Sequence, residues 1–182
     1  MEKKPALRFS RDMFLLSFYL RGIPFVDLVH LRKTDVKHNT IYYYRHKTRQ
    51  QLSVHIESYA AQIINRYKNE AASSPYLLLI LSLTGEDGYR QYKSALRLYN
   101  QHLHTLSKML RLSIPLTSYV ARHSWATTAK DEGVAISVIS ESLGHTSEKV
   151  THVYLASFDN NAMSKANKKV IATIHPNKKK KP

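Results

Sequence analysis

The chain has 182 residues, 43% of them hydrophobic, and its 28 Lys+Arg against 13 Asp+Glu give a formal charge of +15. That suits one sizeable core facing a polyanionic partner, nucleic acid first, while the lack of cysteine excludes disulfides, thiolate metal sites and cysteine nucleophiles. The ten histidines lack a ligand spacing such as His-Glu-x-x-His, so no metal or cofactor is expected; no apolar run nears the ~20 residues of a membrane span and no signal-peptide pattern opens the chain, which predicts a cytoplasmic protein.

Ser10 can cap a first helix with Asp12 in its first turn and Phe14, Leu15 and Phe18 inward. Gly22 suits the left-handed residue that ends it, and Pro24 the start of a short second helix with Phe25, Leu28 and Leu31 inward. Arg21 lies at the bend. Thr40–Tyr44 and Leu52–Ile56 carry the aromatic and β-branched residues of strands, and the basic run from Arg45 to Gln50 between them reads as a hairpin tip. A helix follows from Glu57 to about Ala72, with Ala60, Ile63, Ile64 and Tyr67 as its stripe. Ser73-Ser74-Pro75 breaks it, the apolar run Tyr76–Leu81 reads as core, and Thr84–Gly88 as a loop.

The spacing predicts a long helix from about Tyr89 to Arg111, with Tyr92, Leu96, Tyr99, Leu103, Leu106 and Leu110 inward and Arg90, Lys93, Arg97, Gln101 and Lys108 outward. Pro115 and Thr117 announce a central helix that Gly133 stops. A short helix with Ala135, Val138, Ile139 and Leu143 inward leads to Gly144 and His145. Thr146 or Ser147 can cap a helix carrying Val150, Val153 and Tyr154. A last helix from Asn160 to about Ile174 and a mobile basic tail, 175–182, complete the chain.

Chemistry concentrates in Arg122-His123-Ser124-Trp125-Ala126-Thr127, Leu143-Gly144-His145 and Tyr154. A guanidinium fork grips two phosphate oxygens, a histidine before a helix N-terminus sits where anions are favoured, and a phenol among cations can become a nucleophile. Arginine, histidine as proton donor and tyrosine together make a phosphoryl-transfer set. Tyr119, one turn before Arg122, can point at the same spot.

The pattern resembles the tyrosine recombinases, the phage-integrase family, and Arg-Gly-Ile-Pro-Phe-Val-Asp is similar to integrases of Bacteroides-type mobile elements. The resemblance implies an α+β fold, mostly α-helical with a small antiparallel β-sheet, shared with type IB topoisomerases. It implies that Tyr154 forms a 3′-phosphotyrosyl bond to double-stranded DNA, with exchange through a Holliday junction in a tetramer of the full-length protein, and no metal. Lys47 corresponds to the hairpin lysine that protonates the leaving oxygen, Asp27 to an acidic brace, and Arg45, His46, Arg49 and His123 are expected on DNA. Residues 1–174 would form the catalytic domain, an isolated and monomeric one, because the helical domain these enzymes place ahead of it has no counterpart here. Tyr119 stands where the family has histidine, and Pro24 where it has its first arginine; Arg21 is expected to supply the missing guanidinium. A type IB topoisomerase shares the chemistry without partner exchange, and a DNA-binding module with a decayed site shares the fold.

Overall fold

The computed structural model describes residues 5–156, beginning with helix α1 (Pro5–Tyr19). Its buried stripe is Leu7, Ser10, Met13, Leu16 and Ser17, continued by Leu20 beyond the helix end. Ser10 is therefore mid-helix, bonded to His102 Nδ1 at 2.9 Å, and caps nothing. Asp12 is also buried, bonded by Arg11, Tyr67 and Arg66. Burial alone would raise its carboxyl, but these bonds together hold it below the usual carboxylate range. Phe14, Leu15 and Phe18 only flank the stripe, because buried polar residues hold positions that a hydrophobicity pattern assigns to the outside.

The chain then turns through two left-handed residues, Arg21 (φ 57°) and Gly22 (φ 69°), into α2 (Phe25–His30), with Pro24 as its N-cap. Gly22 is required here. A Cβ on it would lie 2.7 Å from the Cα of Arg122, so only glycine lets the two backbones meet. A 3₁₀ turn (Lys33–Asp35) leads to the antiparallel sheet β1 (Val36–Lys37), β2 (Thr40–Tyr44) and β3 (Gln51–His55), in the order β1-β2-β3. β2 and β3 pair Tyr44 with Gln51 and Thr40 with His55. Ile41, Tyr43, Leu52 and Val54 face the core.

α3 (Ser58–Arg66) is shorter than expected and gives way to turns, and Leu78 and Leu81 of the following apolar run are buried. α4 (Gly85–Met109) starts earlier than the sequence pattern indicates, capped at Thr84, so Gly85 and Gly88 belong to the helix and not to a loop. Tyr99 and Leu103 face inward as expected, whereas Leu110 is exposed. α5 (Val120–Asp131), α6 (Ile136–Leu143) and α7 (Glu148–Ala156) follow. On α7, Val150 and Val153 are exposed and the inward residues are Thr151 and Leu155; on α6, Val138 is exposed.

Two apolar clusters result. The larger joins α1, α2, the sheet, α3 and α4; the smaller holds Ala126, Ala129, Ile139, Leu143 and Leu155 from α5, α6 and α7, with Trp125 and Tyr154 packed against it. The expected last helix from Asn160 and the tail 175–182 lie outside the described residues.

Candidate active site

Arg122 occupies the first turn of α5 and is almost fully buried, at 3% exposure. Three groups fix its guanidinium. Nη1 donates to the Gly22 carbonyl at 3.0 Å, and Nη2 donates to the Leu143 carbonyl at 2.5 Å and approaches His145 Nε2 at 3.3 Å. The helical bend after α1 and the C-terminus of α6 thus grip the same side chain. Burial, then the neighbouring charge of Arg45, lowers its pKa to about 10, so it stays cationic at neutral pH.

Gly144, left-handed at φ 63°, caps α6 and swings His145 toward Arg122. An arginine can only donate, so His145 Nε2 accepts. The proton then sits on Nδ1, which bonds the buried Thr151 Oγ1 at 2.8 Å. Burial, followed by Arg122, Arg45 and Lys47, lowers the His145 pKa to about 4. The expected proton donor is therefore a neutral acceptor in this state, a consequence of three cations around a half-buried ring.

Tyr154 projects from α7 between two imidazoles. His123 stacks flat on it (ring centroids 4.2 Å apart, planes 5° apart), and His145 meets it edge-on at 5.6 Å. Its hydroxyl is buried within reach of the Arg122 charge. Burial raises the phenol pKa, against the pull of Arg122. His123, expected on DNA, thus lies within the site, because α5 and α7 both pack on α6 and bring its ring onto that of Tyr154. Tyr119, the α5 N-cap, is exposed at 52% with its ring 5.7 Å from that of His123.

Arg45 is the residue that sequence reading misplaced most. Expected on DNA at the hairpin tip, it is buried at 5% exposure, with Nη1 on Asp27 Oδ2 at 3.1 Å and Nε on the Leu143 carbonyl at 3.3 Å. Leu143 O accordingly accepts from both Arg45 and Arg122. The signal was present in the alternation of β2, since Ile41, Tyr43 and Arg45 share one face and the first two are core residues. Asp27 braces the hairpin as well as the arginine, accepting the His46 backbone N–H at 2.8 Å. Burial pushes its carboxyl up against the opposing pull of His46 and Arg45. Arg21, the residue expected beside Arg122, instead directs Nη1 to the Ser53 carbonyl on β3 at 3.4 Å, because its left-handed backbone turns the side chain to the sheet.

Lys47 and Arg49 are exposed on the hairpin, whose Thr48 Oγ1 donates to the Gly144 carbonyl at 3.3 Å. That bond keeps the tip beside His145, which feels the Lys47 charge. His46 is exposed too, its ring stacked on His30 at 5.2 Å. Among the described residues no cluster of His, Asp or Glu could hold a metal ion, and no helix is long and apolar enough to cross a membrane.

The model of the phage integrase family matches residues 6–161. Among solved structures, an XerA recombinase is 19% identical, covers 96% of this chain and 64% of its own, and superposes with a TM-score of 0.63. An XerH site-specific recombinase in a post-cleavage complex with a palindromic difH substrate gives 16% identity, coverage of 92% and 47%, and 0.67. A lambda integrase (75–356) dimer bound to a COC′ core site gives 14%, 88% and 55%, and 0.59. The chain thus spans about two thirds of the XerA chain and about half of the other two. No curated protein matches the sequence. The structural matches establish the fold, mostly helical with a three-stranded antiparallel sheet. The family match runs through every residue of the Arg122, His145 and Tyr154 cluster, and the chain belongs to the phage integrase family.

Proposed function

We propose that residues 1–174 are the catalytic domain of a tyrosine site-specific recombinase that cleaves and rejoins double-stranded DNA without a metal. The observation that carries this reading is the clustering of Arg122, His145 and Tyr154, with the Lys47 hairpin tied beside them. A scissile phosphate seated on Arg122 would be gripped by that guanidinium, and Arg45, held by Asp27, supplies the second positive charge in place of Arg21. Tyr154 Oη attacks phosphorus as its proton passes to His145 Nε2, whose lone pair is released when the phosphate draws Arg122 Nη2 to itself. The bond from phosphorus to the 5′ oxygen breaks, and that oxygen takes a proton from Lys47 Nζ. The products are a 3′-phosphotyrosyl ester and a 5′-hydroxyl, and attack by a 5′-hydroxyl from a second duplex reverses the step.

Exchange through a Holliday junction in a tetramer, and a place in the bacterial cytoplasm at the nucleoid, follow from the same reading. The XerH and lambda structures are complexes with a difH substrate and a COC′ core site, which supports double-stranded DNA as the partner here. Incubation with a library of random-sequence nicked duplexes, from which the short fragment carrying the new 5′-hydroxyl diffuses away after cleavage, should yield a covalent protein–DNA band on a denaturing gel. Tyr154→Phe should abolish the band with DNA binding nearly unchanged. A band that persists in the variant would sink the assignment.

A further inference from the structure

We propose that His123 is a positioning residue that aims the Tyr154 phenol at the phosphate, an inference that rests on the recombinase reading above. The expected role, a contact to DNA, would leave the ring facing outward. Instead its plane lies within 5° of the Tyr154 plane at a centroid separation of 4.2 Å. A tyrosine ring has two free torsions, and two neighbours limit them. The face-on imidazole of His123 opposes tilting of the ring, and the edge-on imidazole of His145, inclined at 70°, opposes its swing. With both in place the hydroxyl stays within reach of the charge on Arg122, the group that would hold the phosphate.

The stack also decides what His123 does not do. Its ring nitrogens and their lone pairs lie in a plane parallel to the phenol, so while stacked it cannot accept the hydroxyl proton, which needs a donor approaching along that plane. Its role is to hold the ring. Burial and the adjacent Arg122 lower its pKa, so the ring is neutral at neutral pH and adds no further cation to a pocket already occupied by Arg45, Arg122 and Lys47. Aromatic stacks of this kind are individually weak contacts. Misplacement of a reacting atom by about 1 Å can cost about a hundredfold in rate, so a weak contact can have a large kinetic effect.

The test compares wild type, His123→Ala and His123→Phe in two measurements. The first is NMR of the DNA-free chain: the Tyr154 ring protons, identified by their loss in Tyr154→Phe, should sit under the ring current of the stacked imidazole, move in His123→Ala and stay close to their place in His123→Phe. The second is the rate of covalent capture of the random-sequence nicked duplexes at saturating protein, which should fall about tenfold or more in His123→Ala and recover in His123→Phe, with the DNA dissociation constant unchanged. Wild-type capture with an unaffected His123→Ala, with a His123→Phe as slow as His123→Ala, or with a loss that appears only in DNA affinity overturns this inference alone. Wild type that captures no DNA overturns the recombinase reading, and the inference with it.

Discussion

At the scale of single residues, two cations make opposite predictions. Arg45 is buried against Asp27, so its removal would strand a buried carboxylate at about 3–5 kcal/mol. Arg45→Lys keeps the charge and loses the fork. It should fold and yet capture DNA about 10²–10³ more slowly, the usual cost of one preorganised donor. Arg21→Ala should change capture little; a loss equal to that of Arg45→Lys, measured in single turnover, would return Arg21 to the site. Lys47 is exposed and holds no element together, so Lys47→Ala should leave thermal stability unaltered and slow capture by about 10²–10⁴. A duplex with sulfur at the 5′ bridging position, whose thiolate leaves without protonation, should restore the rate; failure to do so would reduce Lys47 to a phosphate contact. His145 titrates at about 4 in the fold against 6.5 when unconstrained. The unfolded chain therefore binds more protons between those values, and stability present above about pH 6.5 should fall as the pH drops toward 4. Melting temperatures should follow that slope, and His145→Gln should flatten it.

The elements themselves were largely legible. The start and stop signals of α5, the Ile139 and Leu143 side of α6, the alternation of the two main strands and the glycines after α1 and α6 all lie in local sequence, whereas Ala135 and Val138, expected inward, are exposed. α1 was turned the wrong way because Ser10, Asp12 and Ser17 are buried by their bonds to His102, Tyr67, Arg66 and the Ile23 carbonyl, partners supplied by other elements. The same limit hid the second guanidinium: the register of β2 places Arg45 inward, but its meeting with Arg122 depends on how the hairpin docks on the end of α6. The grouping of Arg122, His145 and Tyr154 was legible while the direction of its hydrogen bonds was not, since only the Arg122 and Thr151 contacts show that His145 Nε2 accepts. The bend after α1 offers a sharp test of this docking. Gly22→Ala combines a left-handed backbone with a Cβ 2.7 Å from the Arg122 Cα, so it should cost about 2 kcal/mol or more and lower the melting temperature by about 4–8 °C. A variant that melts with wild type would show that the bend can separate from α5.

At the scale of the molecule, the charge of +15 sets how DNA would be approached under the proposed function. If docking engages about 6–10 phosphates, affinity should fall by about 10³–10⁵ between about 50 and 200 mM salt. A flat response in fluorescence anisotropy would contradict phosphate-dominated binding. The shared Leu143 carbonyl has a different bearing. It holds Arg45 and Arg122 together before any ligand arrives, so the fold carries like charges whose repulsion is only partly answered by Asp27 and one helix end. Such a pair is a thermodynamic sensor. Any tetrahedral oxyanion that enters relieves the repulsion in the native state and has no equivalent place in the unfolded chain, so ligation and folding become linked equilibria. Orthovanadate, which can imitate a five-coordinate phosphorus, should raise the melting temperature in proportion to the logarithm of its concentration, by an amount equivalent to about 2.7 kcal/mol at a hundred times its dissociation constant.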